Sequence, residues 1–207
     1  MSARNPISGE TPIDDASGLK PRGIRVRAQL NDVEARNIRK AVMRYLVTRP
    51  SRRQAPFTLD WCYKLHREMF GDVWRWAGQK RTTELNIGVP AHRIDVELKT
   101  LMDDLIFWRA QGTMETIEQA ARLHHRAAFI HPFLNGNGRW SRLLANIFLK
   151  QSAHGLTVWP EETVGNASII REQYLAAVRS ADGGNYEPLI ALHRRYTTNR
   201  PSGGGTQ

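Results

Sequence analysis

Residues 131–142 read HPFLNGNGRWSR: one histidine, two asparagines bracketing a glycine, a second glycine, and two arginines three residues apart. Pro132 disfavours the right-handed α region for His131, so His131 is expected at a helix exit. Gly136 and Gly138 permit positive φ and close approach of another group. Asn135 and Asn137 tolerate left-handed backbone better than most residues. Successive N–H groups in such a turn form a concave nest for an anion. The helix that follows points its unpaired N–H groups and positive dipole end at the same place. Arg139 opens that helix and Arg142 lies one turn further on the same face. Two guanidiniums beside an anion nest suit more than one phosphate. His131 supplies an imidazole able to act as a base near neutral pH. A base beside bound phosphate suits activation of a hydroxyl for attack on phosphorus. Phe133 is read as an inward-facing anchor of the loop.

Outward from this loop the pattern is mostly helical. Helices are expected at 30–47, with Asn31 and Glu34 as a capping pair, and at 58–70, where Trp61, Cys62, Leu65 and Met69 fall at helical spacing. Asp95 is expected to cap a helix running to about 111, stopped by Gly112. Further helices are expected at 115–130, 139–153, 167–181 and 186–196. The stretch VWRWAGQKRTTELNIGVPAHRI has Gly78, Gly88 and Pro90 and no helical period, which predicts a connection containing a short β-hairpin. The fold class is therefore all-α, a helical bundle with one hairpin. Residues 1–29 are expected to form an N-terminal arm, 30–196 the domain, and 197–207 a disordered tail.

The 207 residues suffice for one domain with a core. No apolar run is long enough to cross a membrane, and the first residues lack the apolar segment of a secretory leader. The lone cysteine, Cys62, excludes an internal disulfide framework and reads as a buried apolar residue. A reducing cytoplasm is the expected location. The net charge of +10 invites a nucleic-acid reading, but 24 of the 30 basic residues are scattered arginines, and nucleic acid is not the expected partner. Residues 35–54 carry seven basic residues and no acidic one, with Arg36, Lys40 and Arg44 as a stripe. That stripe is either a solvated helix face or a docking surface for an acidic partner. His124 and His125 are adjacent and point about 100° apart on a helix, against a shared metal ion. Trp74 and Trp76 are read as core and hairpin support.

HPFLNGNGRWSR resembles the signature of Fic domains, usually HPFx(D/E)GNGRxxR, at every position but one. LHREMFGDVWRWAGQKR (65–81) resembles the region before the family's flap, TTELNIGVPAHRI the flap itself, and YLAAVRSADGGNYEPLIAL (174–192) its closing helices. The segments TPIDDASGLKP and QLNDVEARNI also resemble the Fic subgroup labelled mobile mystery protein B. The resemblance implies a nucleotidyltransferase moving AMP from ATP to a Ser, Thr or Tyr hydroxyl of a target protein. It implies His131 as general base and Gly136, Asn137 and Gly138 around the α- and β-phosphates. Arg139 would support these, and Arg142 would reach the γ-phosphate. The flap residues Thr83, Glu84, Leu85, Asn86, Ile87 and Gly88 would pin the target as an added strand.

The departure from the pattern is Asn135, where the family usually has a carboxylate holding Mg²⁺; an amide oxygen ligates Mg²⁺ without the charge. Transfer of another phosphate-containing group, or a weakly active or inactive protein that binds nucleotide or a partner, are the alternatives this leaves. The family's inhibitory pattern, (S/T)xxxE(G/N), fits neither Thr157 with Glu161 nor Ser168 with Glu172. Restraint by a separate antitoxin-like protein is the corresponding expectation, with the basic stripe as its candidate contact.

Overall fold

The computed structural model describes residues 18–24, 27–160 and 168–198. The helices are α1 (Arg27–Leu46), α2 (Leu59–Phe70), α3 (Ile94–Gln111), α4 (Thr116–Ile130), α5 (Asn137–Gln151), α6 (Ile169–Asp182) and α7 (Glu187–Tyr196), with a 3₁₀ turn at Ala91–Arg93 before α3. Most of the expected arm and tail, and Glu161 and Glu162, lie outside the described residues. No described helix is long and apolar enough to cross a membrane.

Helix α2 shows why the spacing was readable. The Thr58 side chain accepts from the Trp61 N–H at its N-terminus, and Trp61, Cys62, Leu65 and Met69 are all buried. Burial pushes the Cys62 thiol up to about 12, so it is an inert core group. Helix α4 carries Ala120, Leu123 and Ala127 on its buried face, and α5 carries Trp140, Leu144, Ile147 and Phe148. These small and large residues join one core with α1, α2 and α3. A smaller cluster gathers Ala121 of α4 with Tyr174, Ala177, Leu189 and Ile190, and so seats α6 and α7.

Two capping assignments are corrected. Helix α1 begins at Arg27, so Glu34 sits inside it. Its buried carboxylate accepts from the Trp74 Nε1–H at 2.6 Å and from Arg139 at 2.5 Å. Asp95 lies in the first turn of α3, where it accepts from the Tyr63 hydroxyl at 2.5 Å and pairs with Lys80. These contacts hold its carboxyl below the usual range, the Lys80 bond foremost and the Tyr63 bond next.

The expected hairpin is also corrected: residues 82–90 form no paired strands. Two carbonyls that a ladder could use, those of Thr83 and Val89, are taken by Arg81. Its fully buried guanidinium donates to the carbonyls of His131 (2.8 Å), Thr83 (3.0 Å) and Val89, and the Val89 N–H donates to Ile130. Pro90 lacks an N–H altogether. The described residues contain two isolated antiparallel bridges, Leu19 with Trp74 and Thr157 with Thr197. The second sets Thr197 and Thr198, at the start of the expected tail, beside 156–158.

The core also buries a chain of polar groups. Thr157 Oγ1 lies 2.9 Å from His193 Nδ1, His193 Nε2 lies 3.0 Å from His124 Nδ1, and His124 Nε2 lies 3.1 Å from the Tyr174 hydroxyl. His125 turns instead to Asp182, at 2.8 Å, so the two neighbouring histidines diverge. Burial lowers His193 to about 3, His66 to about 3, and His124 well below its usual value.

Because these three folded-state values lie below the ~6.5 of an unfolded histidine, their stabilisation is complete above ~6.5 and is lost as pH falls. Near pH 5 these three histidines hold about three more protons in the unfolded chain than in the folded one, so each further unit costs about 4 kcal/mol from them alone. The urea midpoint should be flat from pH 8 to 7 and fall steeply below 6; a midpoint unchanged at pH 5 contradicts buried neutral histidines. Arg81→Met should cost about 3 kcal/mol or more, because three carbonyls lose a charged donor. Urea unfolding measures it, and a loss under about 1 kcal/mol would show that water replaces the guanidinium.

Candidate active site

Helix α4 ends at His131, which takes φ 52° and ψ 59°, the left-handed conformation that stops a helix. This is an uncommon conformation for a residue other than glycine. Arg81 holds it from the flap side: its Nε donates to the His131 carbonyl and its backbone N–H to Pro132 O, both at 2.8 Å. Gly88 presses on the same residue. At φ +90°, a Cβ there would lie 2.6 Å from His131 Cβ and 2.9 Å from the Arg81 guanidinium. The flap root therefore packs directly on the histidine. Burial, then the Arg81 charge, lower the His131 imidazole to about 4, against an opposing bond to the Ala128 backbone. At pH 7 it is neutral and can accept a proton.

The loop after it is closed by Asn137. The Phe133 N–H donates to Asn137 Oδ1 at 2.9 Å, and Asn137 Nδ2 donates to Phe133 O at 2.8 Å. The Asn137 side chain is thus buried as a clasp, leaving its backbone N–H for a ligand. Phe133 is fully buried and stacks on His66 with ring centroids 3.6 Å apart. Gly136 takes φ 80° at the head of α5, and no side chain caps that helix. The opening N–H groups of Asn137, Gly138 and Arg139 are therefore left for an anion. A Cβ on Gly136 would strike the Phe70 ring at 2.6 Å, while one on Gly138 would meet only the Arg142 guanidinium, at 3.9 Å.

The two arginines differ. Arg139 is paired with the buried Glu34 at 2.5 Å and lies over the Phe70 ring at 4.8 Å, so much of its charge is already answered. Arg142 lies over the Tyr174 ring at 5.7 Å, and no described carboxylate pairs with it. Burial holds it below its usual value; Tyr174 opposes that, and the Arg139 and Arg171 charges add to it. It is the cation beside the nest with the most to gain from a phosphate.

Asn135, the expected Mg²⁺ contact, turns its Oδ1 to the N–H of Gly136 at 2.6 Å. Among the described residues no three His, Cys, Asp or Glu side chains gather as a metal site. One amide oxygen already engaged does not make a protein-built Mg²⁺ site. In the flap, Thr83, Asn86, Ile87 and Gly88 are exposed and Leu85 is half-buried, while Glu84 accepts from the Ala91 N–H at 3.0 Å. Within the basic stripe, Lys40 pairs with Asp72 at 2.6 Å and Arg44 with Glu68 at 2.7 Å. Two of its three cations are thus answered inside the chain.

Sequence reasoning passed over His66 and Arg81 and read Glu34 only as a capping residue. Each is buried and each touches the site from a distant element. The one available signal was a polar residue at a core position of its helix, as His66 is between Leu65 and Met69 on α2.

Residues 56–149 match the model of the Fic/DOC family. The protein adenylyltransferase fic-1 of Caenorhabditis elegans is 30% identical over 145 residues, covering 68% of this chain and 27% of that protein. Its Caenorhabditis briggsae counterpart is 28% identical over 144 residues, with the same coverage, 68% and 27%. The chain spans about a quarter of the length of these curated relatives. Among solved structures, a Fic-1 fragment from C. elegans superposes with a TM-score of 0.67 at 26% identity, covering 87% of this chain and 52% of that one. The BepC effector of Bartonella tribocorum, solved with bound AMPPNP, superposes at 0.66 with 20% identity, covering 92% and 97%, a likeness of fold. With its helical fold, its HPF turn and its uncapped helix behind Gly136, this chain carries a Fic/DOC family domain.

Proposed function

We propose that the chain is a protein adenylyltransferase, moving AMP from ATP to a Ser, Thr or Tyr hydroxyl of a target protein. The observation that carries this reading is a neutral His131 at the edge of a loop whose helix N-terminus has no side-chain cap and is flanked by Arg142, which pairs with no described carboxylate. Relatives named protein adenylyltransferases support the activity. Fold neighbours solved with AMPPNP, and with ADP in the case of a Bartonella quintana Fic domain, support the nucleotide.

In this reading His131 removes the proton from the target hydroxyl. The oxygen attacks the α-phosphorus, the bond to the bridging oxygen breaks, and pyrophosphate leaves. The N–H groups of Gly136, Asn137 and Gly138 hold the phosphates through the charge change. Arg139, steadied by Glu34, supports them, and Arg142 takes the terminal phosphate. The exposed backbone of 83–88 would receive the target segment and hold its hydroxyl against His131. No step is routed through a metal ion, since Asn135 offers one engaged amide oxygen. Arg142, without a described carboxylate partner, is also where an acidic group of an antitoxin-like partner would compete with ATP. Within the family, the likeness of TPIDDASGLKP and QLNDVEARNI supports the subgroup labelled mobile mystery protein B.

A second reading, nucleotide binding without transfer, is favoured by the same Asn135 contact. Incubation with labelled ATP, GTP, UTP and CTP in host lysate separates the two. His131→Ala should abolish target labelling while ATP still binds, because the nest is made of backbone. Labelling equal to wild type would remove the general-base role; no labelling by wild type, with ATP bound, selects the second reading.

Arg142→Ala should weaken ATP far more than AMP. A charge-assisted hydrogen bond is worth about 1.5–3 kcal/mol, or about tenfold or more in affinity. Calorimetric titration of both nucleotides decides it, and equal losses would move Arg142 away from the terminal phosphate.

A further inference from the structure

We infer that His66 is a positioning residue for the phosphate loop: its Nε2–H holds the Asn135 carbonyl and so turns the N–H of Gly136 towards the bound anion. The inference rests on the nucleotide reading above.

The contacts of His66 settle which nitrogen carries the proton. Its Nδ1 lies 2.9 Å from the N of Gly78, a backbone N–H that can only donate, so Nδ1 presents a lone pair. Its Nε2 lies 3.1 Å from the carbonyl oxygen of Asn135, which can only accept, so Nε2 carries the hydrogen. Both partners are backbone, with no rotor to reassign. The ring has no exposed surface, and its low value keeps it neutral. A cationic ring would set a second N–H against that of Gly78.

The ring is also fixed in its plane. Phe133 stacks on it with an interplanar angle of 13°, and Phe70 lies 4.7 Å away, tilted by 36°. The loop rests on its edge: a Cβ on Gly136 would come within 3.3 Å of Nε2. This is where the imidazole acts on function. In a trans peptide the C=O and the following N–H point in opposite directions. Anchoring the Asn135 carbonyl to His66 in the core therefore aims the Gly136 N–H outward. There it meets Asn135 Oδ1 at 2.6 Å, an oxygen standing where a phosphate oxygen would accept the same hydrogen. If the peptide were free to flip, the nest would present a carbonyl oxygen to the phosphates, and repulsion would replace attraction.

Two near-isosteric amides separate this role from plain core filling. In His66→Gln the side-chain NH₂ reaches about as far as Nε2 and can still donate to Asn135. In His66→Asn the amide reaches only the Nδ1 position, so it can serve Gly78 and not Asn135. Both lose the same ring stacking and should be similarly destabilised, as urea midpoints will show. The full chain is titrated with ATP by calorimetry. His66→Asn should bind about tenfold more weakly than His66→Gln. Equal affinities in the two variants would overturn the inference, since a packing role alone predicts no difference. On wild type, long-range ¹H–¹⁵N NMR should show Nδ1 unprotonated and Nε2 protonated; the opposite tautomer overturns the inference even if neither variant folds. If wild type binds no nucleotide, the nucleotide reading fails by itself. Hydrogen exchange at Gly136, faster in His66→Asn than in His66→Gln, would then still uphold the loop-setting role, and equal exchange would end it.

Discussion

The two hydrogen bonds between the Asn137 amide and the backbone of Phe133 close a five-residue loop on which the site depends. They satisfy both polar groups of a buried residue, which lets Phe133 enter the core without an orphaned N–H or C=O. With Phe133 inside, the chain must reverse over 134–136, and Gly136 alone can occupy the left-handed position against Phe70 and His66. That reversal starts α5 at Asn137 with its N-terminus uncapped and facing outward. A change at the clasp would therefore alter the anchor, the nest and the helix direction together.

Charge in the site is placed by what surrounds it. Glu34 reaches the loop from α1, carries bonds from Trp74 and Arg139, and keeps a buried carboxylate fully served. Its effect is to convert Arg139 from a free cation into a fixed strut. Arg142, one turn on, rests on an aromatic face and keeps its charge for an incoming anion. Beneath it, Tyr174 is tied into the chain of neutral groups that ends at Thr157. A protonated histidine there would add repulsion to a guanidinium already close to two others, so burial and neutrality of that chain serve the same end.

How much of this was legible in the sequence follows from the distance over which each residue acts. Helices announced themselves because Trp61, Cys62, Leu65 and Met69 repeat within one element, and Gly136 and Asn137 marked the turn because their constraints are local. Glu34 was misread as a cap because its partners lie 40 and 105 residues away. Asn137 was read as a phosphate contact, and only the three-dimensional loop reveals that its side chain faces back to Phe133. The hairpin failed for a similar reason. Gly, Pro and broken periodicity correctly excluded a helix at 82–90, but they carry no information on whether backbone carbonyls will meet a partner strand or a buried guanidinium. His66 was invisible because a histidine at a core position of an amphipathic helix is consistent with simple packing.

Arg81 joins the flap to the base. One guanidinium binds the carbonyl of His131 on one side and those of Thr83 and Val89 on the other. It thereby sets the flap's height over the histidine, which Gly88 completes by lacking a Cβ. The same charge helps hold the imidazole neutral. The geometry of His131 is thus set by a buried residue outside the loop, and its neutrality by burial, to which that residue's charge adds. An irregular flap so anchored keeps outward-facing backbone groups unpaired by any strand of its own. Those groups, rather than the edge of a ladder, are what an incoming segment of another protein would have to meet.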